Sequence, residues 1–180
     1  MRSLIYRLRS DEALMQAYQR GDTDAFECLY HRHKDGLYAF LYRSYPRLAV
    51  VEELAQEAWL GVVNGAVNYR PEASFKTWLY QIGRNRLVDF WRRRDNQHGS
   101  LEDLPEPAAK TGGDSRQALE RRLLAAIGEL PAAQRDALLL QEQGFSLRDI
   151  ALITGDGEET IKSRLRYART QLRERLGGEE

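Results

Sequence analysis

Apolar residues recur along this chain at spacings of three and four, the period of a helix buried on one side. No alternating apolar run with flanking turns reads as a convincing strand. Ser10 or Asp11 is placed to cap a short helix through Arg20, and Gly21 to stop it. Asp22 or Thr23 opens a longer helix with the stripe Phe26, Tyr30, His33, Leu37, Phe40 and Ser44, closed by Pro46. A third helix is predicted from about Val50 to Ala66, with Val51, Leu54, Ala58 and Val62 inward. The loop Val67 to Ala73 contains Pro71, and Ser74 caps the next helix. Asp95 to Ser115 lacks helical period and holds Gly99, Pro105, Pro107, Gly112 and Gly113, the composition of a flexible linker. Helices follow from Arg116 to Gly128 and from Ala132 to Gln143, separated by Pro131 and stopped by Gly144. The expected fold is all-α: two small helical domains, residues 1–95 and 116–180, joined by a flexible acidic linker over 96–115.

The segment Ser74 to Arg94 carries two surfaces. Phe75, Leu79, Ile82 and Phe90 fall on one side at about 100° per residue, the normal face for packing onto a core. Lys76, Tyr80, Arg84, Leu87 and Trp91 fall beside them, and the helix runs out into Arg92, Arg93 and Arg94. Cations neutralise phosphates, and flat rings accept unpaired bases. The residues alone leave two readings open: an amphipathic helix with solvated arginines, or a helix that holds partly single-stranded nucleic acid.

Near the C-terminus Ser146 caps a short helix with Asp149 three residues on, in a capping-box-like position, and Leu147, Ile150 and Ala151 face inward. Gly155-Asp156-Gly157 makes a tight turn, after which Glu158 and Glu159 suit the positive end of the next helix. There Ile161, Leu165, Ala168, Leu172 and Leu176 share an arc, and Lys162, Arg166, Arg169 and Arg173 form a stripe about 100° away. This is helix-turn-helix geometry, its second helix suited to a major groove; a plain helical hairpin with a solvated basic face is the alternative. In the first reading Glu159, Thr160, Lys162, Ser163 and Arg164 would reach bases, and later cations such as Arg166 and Arg169 would hold phosphates.

Charge sharpens the picture. Formal net charge over 180 residues is zero, which by itself argues against a nucleic-acid partner. The signs are nonetheless segregated. Lys76 to Arg94 holds six cations against Asp89, and Thr160 to Leu176 holds six against Glu174. Between them Asp95, Glu102, Asp103, Glu106 and Asp114 face only Lys110. Cys28 is the sole cysteine, so an internal disulfide is excluded and a reducing cytoplasm fits. No apolar run is long enough to span a bilayer, and MRSLIYRLRSDE lacks the apolar stretch of a secretory signal. Cys28, His31 and His33 lack a further cluster to complete a metal site, so no metal or other cofactor is expected. No nucleophile with its base, paired-carboxylate site or phosphate loop is evident, and catalysis is not expected.

With these residues in hand, the chain resembles the extracytoplasmic-function (group IV) bacterial sigma factors of the sigma-70 family. FSLRDIALITGDGEETIKSRLRYARTQLRERL looks like region 4.2, and ELPAAQRDALLL like region 4.1. ASFKTWLYQIGRNRLVDFWRRR is similar to regions 2.3 and 2.4, VEELAQEAWLGVV to region 2.2 and DAFECLYHRHKDGLYAFLYR to region 2.1. Each motif is moderately specific, and the ordered set highly so.

The resemblance implies a specificity subunit of RNA polymerase. Its first domain would grip the core enzyme and open the −10 promoter element; its second would read the −35 element as duplex, and the linker would thread through the polymerase. By position Glu52, Glu53, Gln56 and Glu57, with Leu54 packed inside, would meet the clamp of the β′ subunit. The family often has aspartate where this chain has Val50, which weakens that acidic surface by one charge. Asn68, Tyr69 and Arg70 fall where the family places a pocket for a flipped −10 base, and Lys76, Trp78, Tyr80, Arg84 and Trp91 would face DNA. Implied partners are the β′ clamp, the flap of the β subunit, promoter DNA and an anti-sigma factor, in the cytoplasm without membrane insertion. Two other classes remain open on the residues alone. A dimeric helix-turn-helix regulator would act without core polymerase, and a nucleic-acid enzyme would need the catalytic constellation that is not evident here.

Overall fold

The computed structural model describes residues 6, 8–96 and 115–177; most of the expected linker lies outside them. Among the described residues there are eight α-helices and no strand. The first half holds α1 (Asp11–Gln19), α2 (Thr23–Ser44), α3 (Leu48–Gly65), a 3-10 turn (Ala66–Asn68) and α4 (Phe75–Asn96). The second holds α5 (Ser115–Gly128), α6 (Ala132–Glu142), α7 (Leu147–Thr154) and α8 (Glu158–Leu176).

Side-chain capping fixes the starts of α1, α2, α4 and α7. Ser10 Oγ accepts from the Ala13 N–H at 3.2 Å, and Asp22 Oδ1 from Ala25 at 3.3 Å. Ser74 Oγ accepts from the Thr77 N–H at 3.1 Å, while Glu12 reaches across from α1 to accept from the Phe75 N–H at 2.9 Å. The start of α4 is thus fixed by its own sequence and by α1 together. His33 binds Asp11 at 2.6 Å, tying α1 to α2. Burial alone would raise the Asp11 carboxyl, but hydrogen bonds from His33 and Arg32 outweigh it and hold the group below the usual carboxylate range.

Helices α2, α3 and α4 pack around Leu37, Phe40, Leu54, Phe75, Leu79 and Tyr80, all essentially inaccessible to water. Helix α8 lies across α5, α6 and α7 through Ile161, Leu165 and Ala168. The two halves do not stand apart. Helix α4 packs along α7, and α2 meets α5 and α6, so the buried residues form one continuous cluster.

The expected third helix begins two residues earlier than the periodicity indicates and ends at Gly65, with the 3-10 turn continuing it. Close approach of α3 and α4 depends on Gly61. A Cβ there would lie 2.7 Å from Ile82 Cγ2, a branched methyl fixed near its own backbone. Overpacking of this kind costs about 1–3 kcal/mol, against roughly 1 kcal/mol gained when alanine replaces a helical glycine. Gly61→Ala is expected to lower unfolding stability by about 1 kcal/mol in urea titrations; a gain would show that the two helices separate freely.

Candidate nucleic-acid interface

The helix-turn-helix is built as its local chemistry requires. Ser146 Oγ accepts from the Asp149 N–H at 3.1 Å and Asp149 accepts from the Ser146 N–H at 3.1 Å, closing the capping box. Gly155 ends α7 with φ of +77°, a left-handed conformation in which a side chain is strained. Gly157 begins α8. Ile161, Leu165 and Ala168 are buried, which turns Glu159, Thr160, Lys162, Arg166 and Arg169 outward as exposed residues.

These outward residues are not equivalent. Lys162 pairs with Glu159 at 2.5 Å on the open surface, an arrangement easily exchanged for a phosphate. Arg166 lies over the Tyr167 ring at 5.1 Å, and Arg169 donates to Gln141. Ser163 is half-buried. Arg164 differs from its expected position at the bases. Both its terminal nitrogens bind Asp156 in the turn, and this hydrogen bonding holds the Asp156 carboxyl below the usual range. Arg164 braces the turn in this structure.

In the first half the expected base pocket divides. Asn68 and Arg70 are exposed, whereas Tyr69 is 4% exposed, its ring 4.9 Å from Trp78. Gln19 donates to the Ala66 and Tyr69 carbonyls at 2.8 and 3.1 Å, which fixes the loop to α1. The Tyr69 hydroxyl has no hydrogen-bond partner among the described residues. Burial, with Glu12 and Asp11 nearby, pushes this phenol up to about 12.

Helix α4 departs most from its expected division of faces. Ile82 and Phe90 are only half-buried, while Thr77 and Leu87 are buried. Tyr80, expected to offer its ring to a base, is 1% exposed and packs against Phe40 at 5.5 Å and Phe145 at 4.9 Å. Its ring belongs to the core, because i and i+1 positions flanking an apolar stripe are drawn inside when a second element covers them. Lys76 and Arg84 are half-buried for the same reason: Lys76 donates to the Gln143 carbonyl, and Arg84 binds Asp136 at 3.0 Å. Trp91 is half-buried, edge-on to Tyr45 at 5.1 Å and beneath the Arg135 guanidinium at 5.6 Å. Trp78 rests half-exposed on Phe75 and Tyr69.

On the other side of the first half, Glu52, Glu53 and Gln56 are exposed, Glu57 is half-exposed and Leu54 is internal, as its helical position requires. Glu52 and Gln56 edge a groove of about 610 Å³ between α2 and α3, whose walls include Phe26, Tyr30, Tyr38 and Trp59. This aromatic groove was not singled out in the sequence. The signal was there in the ring spacing on α2, but a ring stripe reads first as core.

Residues 29–97 match the family model for sigma-70 region 2, and residues 120–172 that for sigma-70 region 4. The chain is 32% identical over 166 residues to RNA polymerase sigma factor CarQ of Myxococcus xanthus, covering 91% of this chain and 95% of that one. It is 33% identical to the ECF RNA polymerase sigma factor SigM of Mycobacterium tuberculosis, over 94% of this chain and 86% of the relative. Its fold is similar to that of the sigma factor RpoE of Bartonella quintana, solved with the anti-sigma factor NepR. That match has a TM-score of 0.72 at 27% identity, over 86% of this chain and 98% of that one. CnrH, solved with the cytosolic domain of CnrY, shares the fold at a TM-score of 0.75 and 20% identity, over 96% of this chain and 100% of that one. With both sigma-70 modules in order and relatives aligned along more than 90% of its length, the chain belongs to the ECF group of the sigma-70 family and is a non-enzymatic factor for promoter-specific initiation of transcription.

Proposed function

We propose that residues 1–95 bind core RNA polymerase and hold the melted −10 element, residues 116–180 read the −35 element as duplex, and residues 96–115 tether the two. The observation that carries this reading is the open end of α8, where Glu159, Thr160 and Lys162 stand exposed beside the glycine turn with Arg166 and Arg169 behind them. That is the geometry in which a second helix enters a major groove with its N-terminal residues at the bases. Ser163 and Arg164 complete the reading end, Arg164 after leaving Asp156.

On the first half, Asn68 and Arg70 flank the base pocket, and Tyr69 forms its floor with Trp78. Lys76 and Arg84 neutralise phosphates of the melted strand, Trp78 and Trp91 stack on bases, and Tyr80 holds α4 in place from within the core. Glu52, Glu53, Gln56 and Glu57 meet the β′ clamp, Leu54 supports them from inside, and the neighbouring aromatic groove supplies apolar area. The second half meets the β flap. The chain works in the cytoplasm, where core polymerase and promoter DNA are, and no described helix is long and apolar enough to cross a membrane. An anti-sigma partner is proposed because the relative RpoE was solved with one.

Reconstitution with bacterial core polymerase on a promoter library tests the whole reading: holoenzyme formation and initiation at a defined subset of promoters are expected, and failure to form holoenzyme sinks it. Stacking of a base on an aromatic ring is worth about 1–3 kcal/mol. Trp78→Ala and Trp91→Ala are each expected to reduce permanganate-detected strand opening by roughly fivefold or more while −35 duplex binding is largely kept. Equal loss of both activities would remove the stacking role. Lys162→Ala and Arg166→Ala are expected to weaken duplex binding and each to lower the slope of log affinity against log salt by about one; an unchanged slope would take them out of the phosphate contacts.

A further inference from the structure

Helix α8 carries a ring where its outer surface otherwise bears charges and hydroxyls. Tyr167 is 53% exposed, more than any other aromatic side chain among the described residues. It takes no part in the buried cluster, and the Arg166 guanidinium lies over one face of the ring at 5.1 Å. A single exposed ring is ordinary on a protein surface. Its position on this helix is what points to a role.

Tyr167 is the tenth residue of α8 and stands two turns beyond Thr160, a rise of about 10 Å. Ser163 lies between them, and at the helical period the three share an arc of about 60°. The stripe of Lys162, Arg166, Arg169 and Arg173 runs parallel to this strip, roughly 120° round the axis. Arg164 borders the strip, but both its terminal nitrogens are turned onto Asp156. Ile161, Leu165 and Ala168 hold the far side of the helix in the core. The face left open thus has charge along one edge and, along the other, two hydroxyls and a ring.

The two edges suit different parts of a duplex. Cations gain from phosphates, which position a helix without reading sequence. A ring face gains nothing from a phosphate. In the major groove the one apolar group on any base pair is the 5-methyl of thymine, and a ring is suited to cover it. With Arg166 over one face, the edge and second face of Tyr167 remain open to such a group. We propose that Tyr167 reads a thymine of the −35 element by packing its ring on the 5-methyl group, while Thr160 and Ser163 face the neighbouring base pairs. The inference rests on the assignment of α8 to that duplex. Base pairs stack about 3.4 Å apart, so the thymine lies about three base pairs from the one that Thr160 faces.

The full chain is offered a pool of random-sequence duplexes, and thymines of the selected sequence are replaced one at a time by deoxyuridine, which lacks only the methyl. The wild type is expected to lose about fourfold in affinity at one position, the worth of one buried methyl group. Tyr167→Ala is expected to bind the selected duplex at least about fourfold more weakly and to show no further loss from deoxyuridine at that position. Tyr167→Phe should keep both the affinity and the discrimination, since the ring and not the hydroxyl makes the contact. A loss in the Phe variant equal to that in the Ala variant would assign the residue to a phosphate through its hydroxyl and overturn the proposal. So would a selected site without thymine, or the same deoxyuridine penalty in the wild type and Tyr167→Ala. Impaired holoenzyme formation by Tyr167→Ala with the discrimination intact would give the ring to the polymerase instead. Selection of no duplex at all would sink the −35 assignment itself, and the reading of thymine with it.

Discussion

Helix α4 carries apolar or ring-bearing residues on more than one of its faces, so it must be covered on more than one. Phe75, Leu79 and Leu87 are satisfied by α2 and α3 within the first half. That leaves a strip with Lys76, Tyr80 and Arg84, too apolar to be left in water without cost and too charged to sink into a hydrocarbon core. Such a strip needs a partner that is itself part polar and part flat. In this structure the ends of α6 and α7 with Phe145 supply it. Among the described residues, this run of donors on α4 meets acceptors on α6, α7 and at their ends.

The joint combines polar contacts with a continuous apolar cluster that includes Tyr80 and Phe145. Asp136 is almost inaccessible, and desolvation pushes its carboxyl upward despite Arg84 and Arg135 beside it. Lys76 is shifted the opposite way, since burial lowers its ammonium while Asp11 and Asp149 partly offset this. Both shifts say that the charged forms are held at some expense in solvation. Buried ion pairs of this kind contribute orientation more than net stability.

The two cationic helices are supported differently, and this bears on what each can do. Helix α8 stands on a small apolar platform with its N-terminal end braced by the Arg164–Asp156 pair and Gly155. On α4 the same groups that would contact a strand are engaged within the chain.

The sequence by itself determined the helices, their caps and the second-half motif, because those depend on neighbours three or four residues apart. Ser146 with Asp149, Gly155 and the Ile161–Leu165–Ala168 arc needed nothing distant to be legible. The order of motifs determined the family, and the segregation of charge marked both cationic helices. Tertiary structure alone decided which side of each residue is covered. Tyr80 read as a surface ring because its stripe lies next to the apolar one; it is core because Phe40 and Phe145 close on it from elements 40 and 65 residues away in sequence. Tyr69 turned inward because Gln19 fastens its loop, and Glu12 rather than a neighbour alone caps α4. Asp136 and Gln143 looked like ordinary positions on a helix and at its end. Their role is set by Arg84 and Tyr80, and complementarity between distant groups leaves no periodic trace in either segment.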